Sequence, residues 1–374
     1  MHGIPRTLCK GMKIMARKLI CLLLACIMLM LFSGCSQWMD GTYYSVEKIQ
    51  DTSESAQSGV LSAESYDALK NTLVDMVEDA VQECTITTTK ISQKDLEKFM
   101  EDAVAYVTTR YAMGAFFVDE ITYEVGINGG KTAVAVDISY NRSKSEILRI
   151  DKVKNVEEAK TIIYKALNTC EQGVAFYVDE YAETDLPQMV ADYANTMPDL
   201  VMEIPQVSVD TYPESGSQRI IELKFTYQTS RDELRLMQEQ VQPVFTAAQL
   251  YVSSSDSDMK TVQQLYSFLM ERYDYTIETS ITPSYSLLIH GVGDSRAFAN
   301  VFAAICRYAD INCDVITGTK NGSPWCWNSL SINGETYYLD LIQCSNTDGF
   351  VLCRDTAMDG YVWDFSRIAR SMPN

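Results

Sequence analysis

Two segments in which apolar and polar residues alternate constrain the fold of this chain more than any other feature. They are residues 132–140 (TAVAVDISY) and 219–227 (RIIELKFTY), and a polar turn leading into a helix-like segment follows each. This alternation is typical of a half-buried strand. The flanking segments also correspond, because each unit contains a strand, a helix, two strands and a helix in that order. The sequence therefore predicts an α+β fold with two tandem units, over 59–165 and 166–253.

The first 34 residues have the pattern of a bacterial lipoprotein signal. Five basic residues and no acidic residue precede the apolar run 19–32, and Ser33, Gly34 and Cys35 follow it. This run is shorter than the roughly 20 residues that a membrane-spanning helix needs. We expect residues 1–34 to be removed, Cys35 to carry a lipid, and 35–58 to be a flexible spacer. An ordinary signal peptide and an uncleaved anchor are the alternatives, and translation starting at Met12 or Met15 stays open.

The composition after this processing excludes several classes of partner. The mature chain keeps 26 basic and all 50 acidic residues, so its net charge is −24. Such a chain is unsuited to nucleic acid, which requires clustered cations. His290 is its only histidine and its cysteines lack zinc-type spacing, so we expect no metal and no cofactor. We expect it to lie at the extracytoplasmic face of the cell membrane, attached through the lipid.

Seven cysteines remain in the mature chain once Cys35 is lipidated. Export permits disulfides. Cys306 with Cys313, and Cys344 with Cys353, are spaced so that either pair could bridge, although spacing alone does not choose the pairs. We favour buried, reduced thiols, because a free cysteine packs as a small apolar residue.

The last third of the chain contains three segments that belong together. Residues 291–302 form a glycine loop that leads into an apolar helix, and residues 325–328 (WCWN) and 334–340 (GETYYLD) follow. These segments resemble the core of the transglutaminase-like (papain-related) superfamily of cysteine hydrolases. The resemblance covers about 254–374 and implies an α+β domain in which they supply, in order, a cysteine, a histidine and an aspartate.

At those three positions the resemblance places Ser295, Trp325 and Asp340, which is a degenerate catalytic triad. An indole donates a hydrogen bond but does not act as a base near neutral pH. A hydroxyl without a base is nearly inert, because base assistance contributes roughly 10²–10⁴-fold. Asp294 and Ser295 are also good helix-capping residues, and His290 is poorly placed to replace the base. We expect Asp340 to accept a hydrogen bond from Trp325 or from backbone amides.

Three functions follow from this pattern. The first is an inactive domain whose old cleft, with walls at Trp325, Cys326, Trp327 and Trp363, binds a peptide, a peptidoglycan stem or a protein partner. Large aromatic side chains dominate such contacts. The second is an active serine-dependent peptidase or acyltransferase that uses Ser295 and an unseen base. The third is a structural cap, with the tandem units as the binding module.

Overall fold

The computed structural model describes residues 60–253, 256–346, 349–354 and 358–364. The expected signal segment, the lipidation site Cys35 and the spacer lie outside these residues. No helix within the described ranges is long and apolar enough to cross a membrane.

The first unit is an α+β layer in which, within the described ranges, four strands form a sheet in the order β1-β2-β4-β3. Strands β1 and β2 are parallel, and the other neighbours are antiparallel. Alternate residues of β4 (Val134, Val136 and Ile138) are buried in one core with residues of the first two helices, as a period of two predicts. The elements are β1 Val60–Ser62, α1 Tyr66–Glu78, β2 Glu83–Thr88, α2 Gln93–Thr109, α3 Ala112–Phe117, β3 Val118–Asn128, β4 Lys131–Tyr140 and α4 Lys144–Arg149.

The second unit has the same strand order and the same relative strand directions. Of the strands described here, four form its sheet, in the order β5-β6-β8-β7, with only β5 and β6 parallel. A capping box opens the helix after each long inner strand, Ser143 with Glu146 in the first unit and Ser230 with Glu233 in the second. The elements are β5 Asp151–Val153, α5 Val156–Asn168, β6 Gly173–Val178, α6 Leu186–Thr196, β7 Gln206–Tyr212, β8 Arg219–Thr226 and α7 Arg231–Leu250.

These two sheets with their helices confirm the mixed α+β fold class that the sequence predicts. A repeat at the level of the sequence stays a prediction. The second sheet includes β5, which lies before the boundary that we drew at residue 166. Each unit therefore starts with a strand of three residues and a helix that the sequence pattern did not indicate.

The C-terminal domain places a buried helix against an antiparallel sheet. In the described part of the chain the sheet order is β13-β12-β11-β14, and a short parallel pair joins β9 and β10. Helix α10 packs on the sheet, where the Asn328 amide donates to the Ala299 carbonyl over 2.8 Å. The elements are α8 Asp258–Met270, β9 Asp274–Tyr275, α9 Pro283–His290, β10 Val292–Gly293, α10 Ser295–Tyr308, β11 Asn312–Lys320, β12 Ser323–Ile332, β13 Glu335–Leu339, α11 Leu341–Asn346 and β14 Tyr361–Trp363.

The second unit and the C-terminal domain share one apolar core. Phe245 of α7 lies in the same buried cluster as Phe298 and Phe302 of α10. At the rim of this cluster the buried Asp199 carboxylate accepts from Arg307 Nη2 at 2.6 Å and from the Tyr308 hydroxyl at 3.0 Å. The helix that carries the candidate site is therefore fixed to the preceding unit by apolar packing and by an ion pair to a buried carboxylate.

Candidate functional site

The loop before α10 places Ser295 as the first residue of that helix. Gly291 ends α9 in the left-handed region, with φ 83°. A Cβ on Gly293 would lie 2.8 Å from the Ala297 Cβ, so the close approach of the loop to the helix requires glycine. The Asp294 carboxylate accepts from the Ala297 amide at 2.9 Å. Asp294 therefore caps the helix, and Ser295 is free of that role.

The Ser295 side chain contacts strand β12. Its hydroxyl oxygen accepts a hydrogen bond from the Cys326 backbone N–H at 3.3 Å, and only 8% of the residue is exposed. Cys326 is itself buried, and its sulfur lies 3.8 Å from the Thr317 hydroxyl. Burial raises the pKa of the Cys326 thiol above its usual value. This sulfur therefore has the character of a packed thiol, in contrast to an activated thiolate.

Asp340 and Trp325 are joined directly, as we expected from the sequence. Trp325 Nε1 donates to Asp340 Oδ2 over 2.8 Å. The same oxygen accepts from Lys320 Nζ at 2.9 Å and from the Tyr361 hydroxyl, and Oδ1 accepts from the Gln343 backbone N–H at 3.0 Å. Although Asp340 is buried, these donors satisfy its carboxylate. The Asp340 carboxylate is thus held by an indole, an ammonium, a phenol and an amide.

Lys320 is a site residue that the sequence analysis missed. Its Nζ lies 4.9 Å from the Trp325 ring centroid and 5.1 Å from that of Tyr361, and it also donates to Gln343 Oε1 at 2.8 Å. The Asn321-Gly322 turn that follows is the signal that could have found it. An Asn-Gly turn predicts a tight hairpin, and that hairpin sets Lys320 opposite Ser323, two residues before Trp325.

Tyr275 is the second residue that the sequence analysis missed. Strand β9 pairs with β10 directly before α10 and brings the Tyr275 ring centroid to 5.7 Å from that of Trp325. Burial raises the pKa of its phenol, and the negative charges of Asp294 and Asp340 act in the same direction. With 38% of its surface exposed, Tyr275 forms an aromatic pair with Trp325 beside the helix N-terminus.

The expected cleft walls do not all line a cleft. Trp327 is 0% exposed, and its ring packs edge-on against Trp363 at 5.4 Å and Tyr361 at 5.1 Å. It belongs to the core of the sheet, so a ligand does not reach it in this conformation. Trp363 is half-buried in the same cluster. His290 ends α9 with its ring edge-on to Tyr285. The structure thus places Ser295 in hydrogen-bond contact with the Cys326 backbone, and Trp325 in hydrogen-bond contact with Asp340.

A cavity of about 380 Å³ lies beside Asp340. Polar groups of Lys320, Gln343 and Asp359 line it together with the apolar Met358. Within the described ranges, no cluster of three or more His, Cys, Asp or Glu side chains is arranged to hold a metal ion.

The C-terminal part of the chain is similar to a known domain family. Residues 246–363 match the model of the transglutaminase-like superfamily. This part of the chain is a transglutaminase-like domain. The match begins inside α7, earlier than the start at residue 254 that we expected. The transglutaminase-like domain therefore takes in the end of the helix whose Phe245 packs in its core.

Solved structures with similarity to the chain include a proposed cysteine protease from Cytophaga hutchinsonii, with 12% identity over 40% of this chain and a TM-score of 0.25. A transglutaminase is 9% identical over 45% of the chain, with a TM-score of 0.24. A proposed protease from Parabacteroides distasonis is 10% identical over 69%, also with a TM-score of 0.24. The chain covers 65%, 50% and 40% of these proteins, respectively. No curated protein matches the chain.

Proposed function

We propose that the transglutaminase-like domain has lost its catalytic activity and binds a peptide, a peptidoglycan stem or a protein partner at the N-terminus of α10. One observation carries this proposal, the hydrogen bond of 2.8 Å from Trp325 Nε1 to Asp340 Oδ2. In a catalytic triad the carboxylate orients an imidazole that removes the proton of the nucleophile. Here the group that the carboxylate orients is an indole, which has no basic nitrogen.

The environment of Ser295 agrees with this loss. A serine hydroxyl becomes a useful nucleophile only when a neighbouring base takes its proton. Among the described residues, the hydrogen-bond partner of the Ser295 hydroxyl is the Cys326 backbone N–H, which is a donor. A base contributes roughly 10²–10⁴-fold to the rate, so we expect the wild-type chain to show no measurable acyl transfer.

Binding is supported by the aromatic pair at the same place. Asp340 and Lys320 hold the indole of Trp325 in one orientation, and the partly exposed Tyr275 lies against it. A rigid aromatic surface loses little conformational entropy when it contacts a ligand. Trp325→Ala should therefore weaken binding by about 2 kcal/mol, roughly 30-fold, as at a typical interface hot spot. Ser295→Ala should leave the affinity nearly unchanged, and equal affinity of wild type and Trp325→Ala would refute this cleft.

The proposal also places the chain outside the cell. Its support is the basic and apolar signal pattern of residues 1–34 and the position of Cys35 directly after Ser33 and Gly34. Growth with an alkyne fatty acid should label the wild-type chain and leave Cys35→Ser unlabelled. Equal labelling of the two would contradict the anchor.

An active serine-dependent enzyme is the second candidate, and the position of Ser295 favours it. The hydroxyl lies at the first residue of a 14-residue helix, where backbone N–H groups and the helix dipole stabilise negative charge. One experiment separates the two candidates. The chain from residue 36 is treated with fluorophosphonate and thiol-reactive probes, and labelled peptides are mapped by mass spectrometry.

We expect no selective labelling at Ser295 and no loss of signal in Ser295→Ala. The matched positive control is the double variant Ser295→Cys/Trp325→His, which restores a thiol and an imidazole in the positions of the triad. This variant should react with the thiol probe at position 295. Fluorophosphonate labelling of the wild type at Ser295 would establish the enzyme and overturn the proposal.

A further inference from the structure

A groove of about 690 Å³ lies between the first two units, away from the transglutaminase-like site. One wall contains Val209, Asp210, Thr211 and Tyr212 of β7, and residues of α2 and α3 line the other. Successive side chains of a strand point to opposite faces. Because consecutive residues of β7 line the groove, it runs along the backbone edge of the strand.

The outer edge of β7 has no paired strand among the described residues, and the strand itself has few of the features that usually protect such an edge. Within the described ranges β7 pairs with β8 alone, so one row of its N–H and C=O groups has no strand partner. Proteins usually protect such edges with proline, lysine, a bulge or inward charges. Residues 206–212 (QVSVDTY) contain neither proline nor lysine, and their pairing with β8 has no register shift. Pro213 follows directly after the strand and lines the end of the groove, so it protects the edge only beyond Tyr212. The one charge, Asp210, is bonded to Lys224 at 2.8 Å.

The corresponding edge strand of the first unit shows the contrast. Strand β3 has a register irregularity between Val118 and Glu120 and carries three acidic residues, Asp119, Glu120 and Glu124. These are the devices that discourage an added strand. The two sheets have the same strand order, but only the outer strand of the first sheet, β3, carries these protective features.

The chemistry of the groove indicates what would occupy it. Of the described residues, two acidic ones, Asp210 and Glu214, and no lysine or arginine line it. Thr108 and Thr109 lie on the wall opposite the strand, and their hydroxyls donate to carbonyls of their own helix. The four residues 209–212 extend about 13 Å at 3.3 Å per residue. A basic, extended peptide segment of four to six residues therefore matches the groove in charge, length and backbone hydrogen-bonding capacity.

We propose that the open edge of β7 binds an extended basic peptide, which adds to the second sheet as a further strand. Backbone hydrogen bonds to β7 supply affinity, as in other cases of strand addition, and Glu214 selects positive charge. The Tyr212 ring packs on Phe116 of α3 at 5.1 Å between centroids and so joins the two walls. This site is separate from the proposed cleft at Trp325, and the two are tested independently.

The probe is a fluorescent octapeptide of alternating threonine and lysine, titrated against the full chain in detergent and followed by anisotropy. A matched peptide carries N-methyl groups on alternate amides, which keep the charge and remove backbone donors along one edge. We expect methylation to weaken binding at least tenfold, and the unmodified peptide to slow amide exchange within residues 206–212. Equal affinity of the two peptides, or no binding of either, overturns the proposal.

Two variants separate the groove from general attraction to an acidic protein. Glu214→Lys changes an exposed charge at the groove, and Glu120→Lys makes the same change on the outer strand β3. The first should weaken peptide binding about tenfold and the second should leave it unchanged. Equal losses in both variants, or a loss in Trp325→Ala, would overturn the assignment of the site to β7. The variants alter exposed side chains, and unchanged melting temperatures confirm their folding.

Discussion

Replacing Asp340 by asparagine tests whether its buried carboxylate holds the domain together. Asparagine preserves the size of the side chain and removes its charge. Lys320, whose side chain is 17% exposed, then loses the counter-ion that lies 2.9 Å from its Nζ. The NH₂ group of the new amide would face a donor in either orientation. Oδ2 accepts from Trp325 Nε1, Lys320 Nζ and the Tyr361 hydroxyl, and Oδ1 accepts from the Gln343 backbone N–H.

The expected cost follows from this geometry. Removing one partner of a buried ion pair destabilises a protein by about 3–5 kcal/mol. The lower end applies here, because Lys320 keeps its hydrogen bond to Gln343 and some contact with water. A loss of about 3 kcal/mol corresponds to a decrease in Tm of roughly 4 °C for a chain of this length, because the entropy of unfolding is about 2.1 cal/mol/K per residue. Urea unfolding of the chain from residue 36, followed by tryptophan fluorescence, measures the change.

Asp359→Asn is the matched control. This exposed carboxylate lines the same cavity, and a surface substitution of this kind changes stability by less than about 0.5 kcal/mol. Asp340→Asn/Lys320→Met should recover part of the loss, because an apolar replacement removes both charges together. A cost below about 1 kcal/mol for Asp340→Asn would refute the reasoning.

Three further predictions concern stability. Burial, together with the hydrogen bond to Asp340, raises the pKa of Tyr361, so the unfolded phenol, with a pKa near 10, releases its proton first and stability falls above about pH 10. Tyr361→Phe should reduce this slope by up to about 1.4 kcal/mol per pH unit, and an unchanged slope between pH 9 and 11 would contradict it. Phe245→Ala should cost about 3–5 kcal/mol and destabilise β8 and β12 together in hydrogen exchange, whereas loss in one alone would argue against the shared core. Arg307→Ala leaves the buried Asp199 without its cation and should cost about 1–2 kcal/mol in urea unfolding. This is less than for a fully buried pair, because the Arg307 side chain is 38% exposed and Asp199 keeps its hydrogen bond to Tyr308. A cost below about 0.5 kcal/mol would show that the pair contributes nothing.

The parts of the fold that the sequence predicted are those encoded by local chemistry. Alternation identified β4 and β8, and the polar turns that follow them indicated the next helices. The structure shows that both helices begin with a capping box, at Ser143 and at Ser230, which is a short-range signal. The start of α10 was predictable for the same reason, since Gly293 is required by close approach and Asp294 by capping. In contrast, β1 and β5 contain three residues each, too few to show a period, and pairing with a neighbouring strand defines them.

The sequence indicated which segments form the candidate site, but it did not indicate which of their side chains are buried. Trp325 and Trp327 are two residues apart on one strand and so point to the same face, which suggested two walls of one cleft. Their surroundings differ because β14 pairs with β11 and brings Trp363 and Tyr361 onto Trp327. That contact depends on strand order, which periodicity does not encode. Lys320 was missed for a similar reason, since its partner Asp340 is on the far side of two hairpins.

The burial of Asp340 has a physical explanation in the donors that surround it. A buried carboxylate is costly unless donors surround it. Asp340 is buried between β13 and α11, and it accepts a hydrogen bond from the Gln343 backbone N–H in the first turn of that helix. The Trp325 indole supplies an N–H donor to Oδ2 of this carboxylate. The indole satisfies the buried oxygen without bringing a basic nitrogen to it. The donors around Asp340 therefore account for its burial through folding alone, whatever the chemistry of the domain.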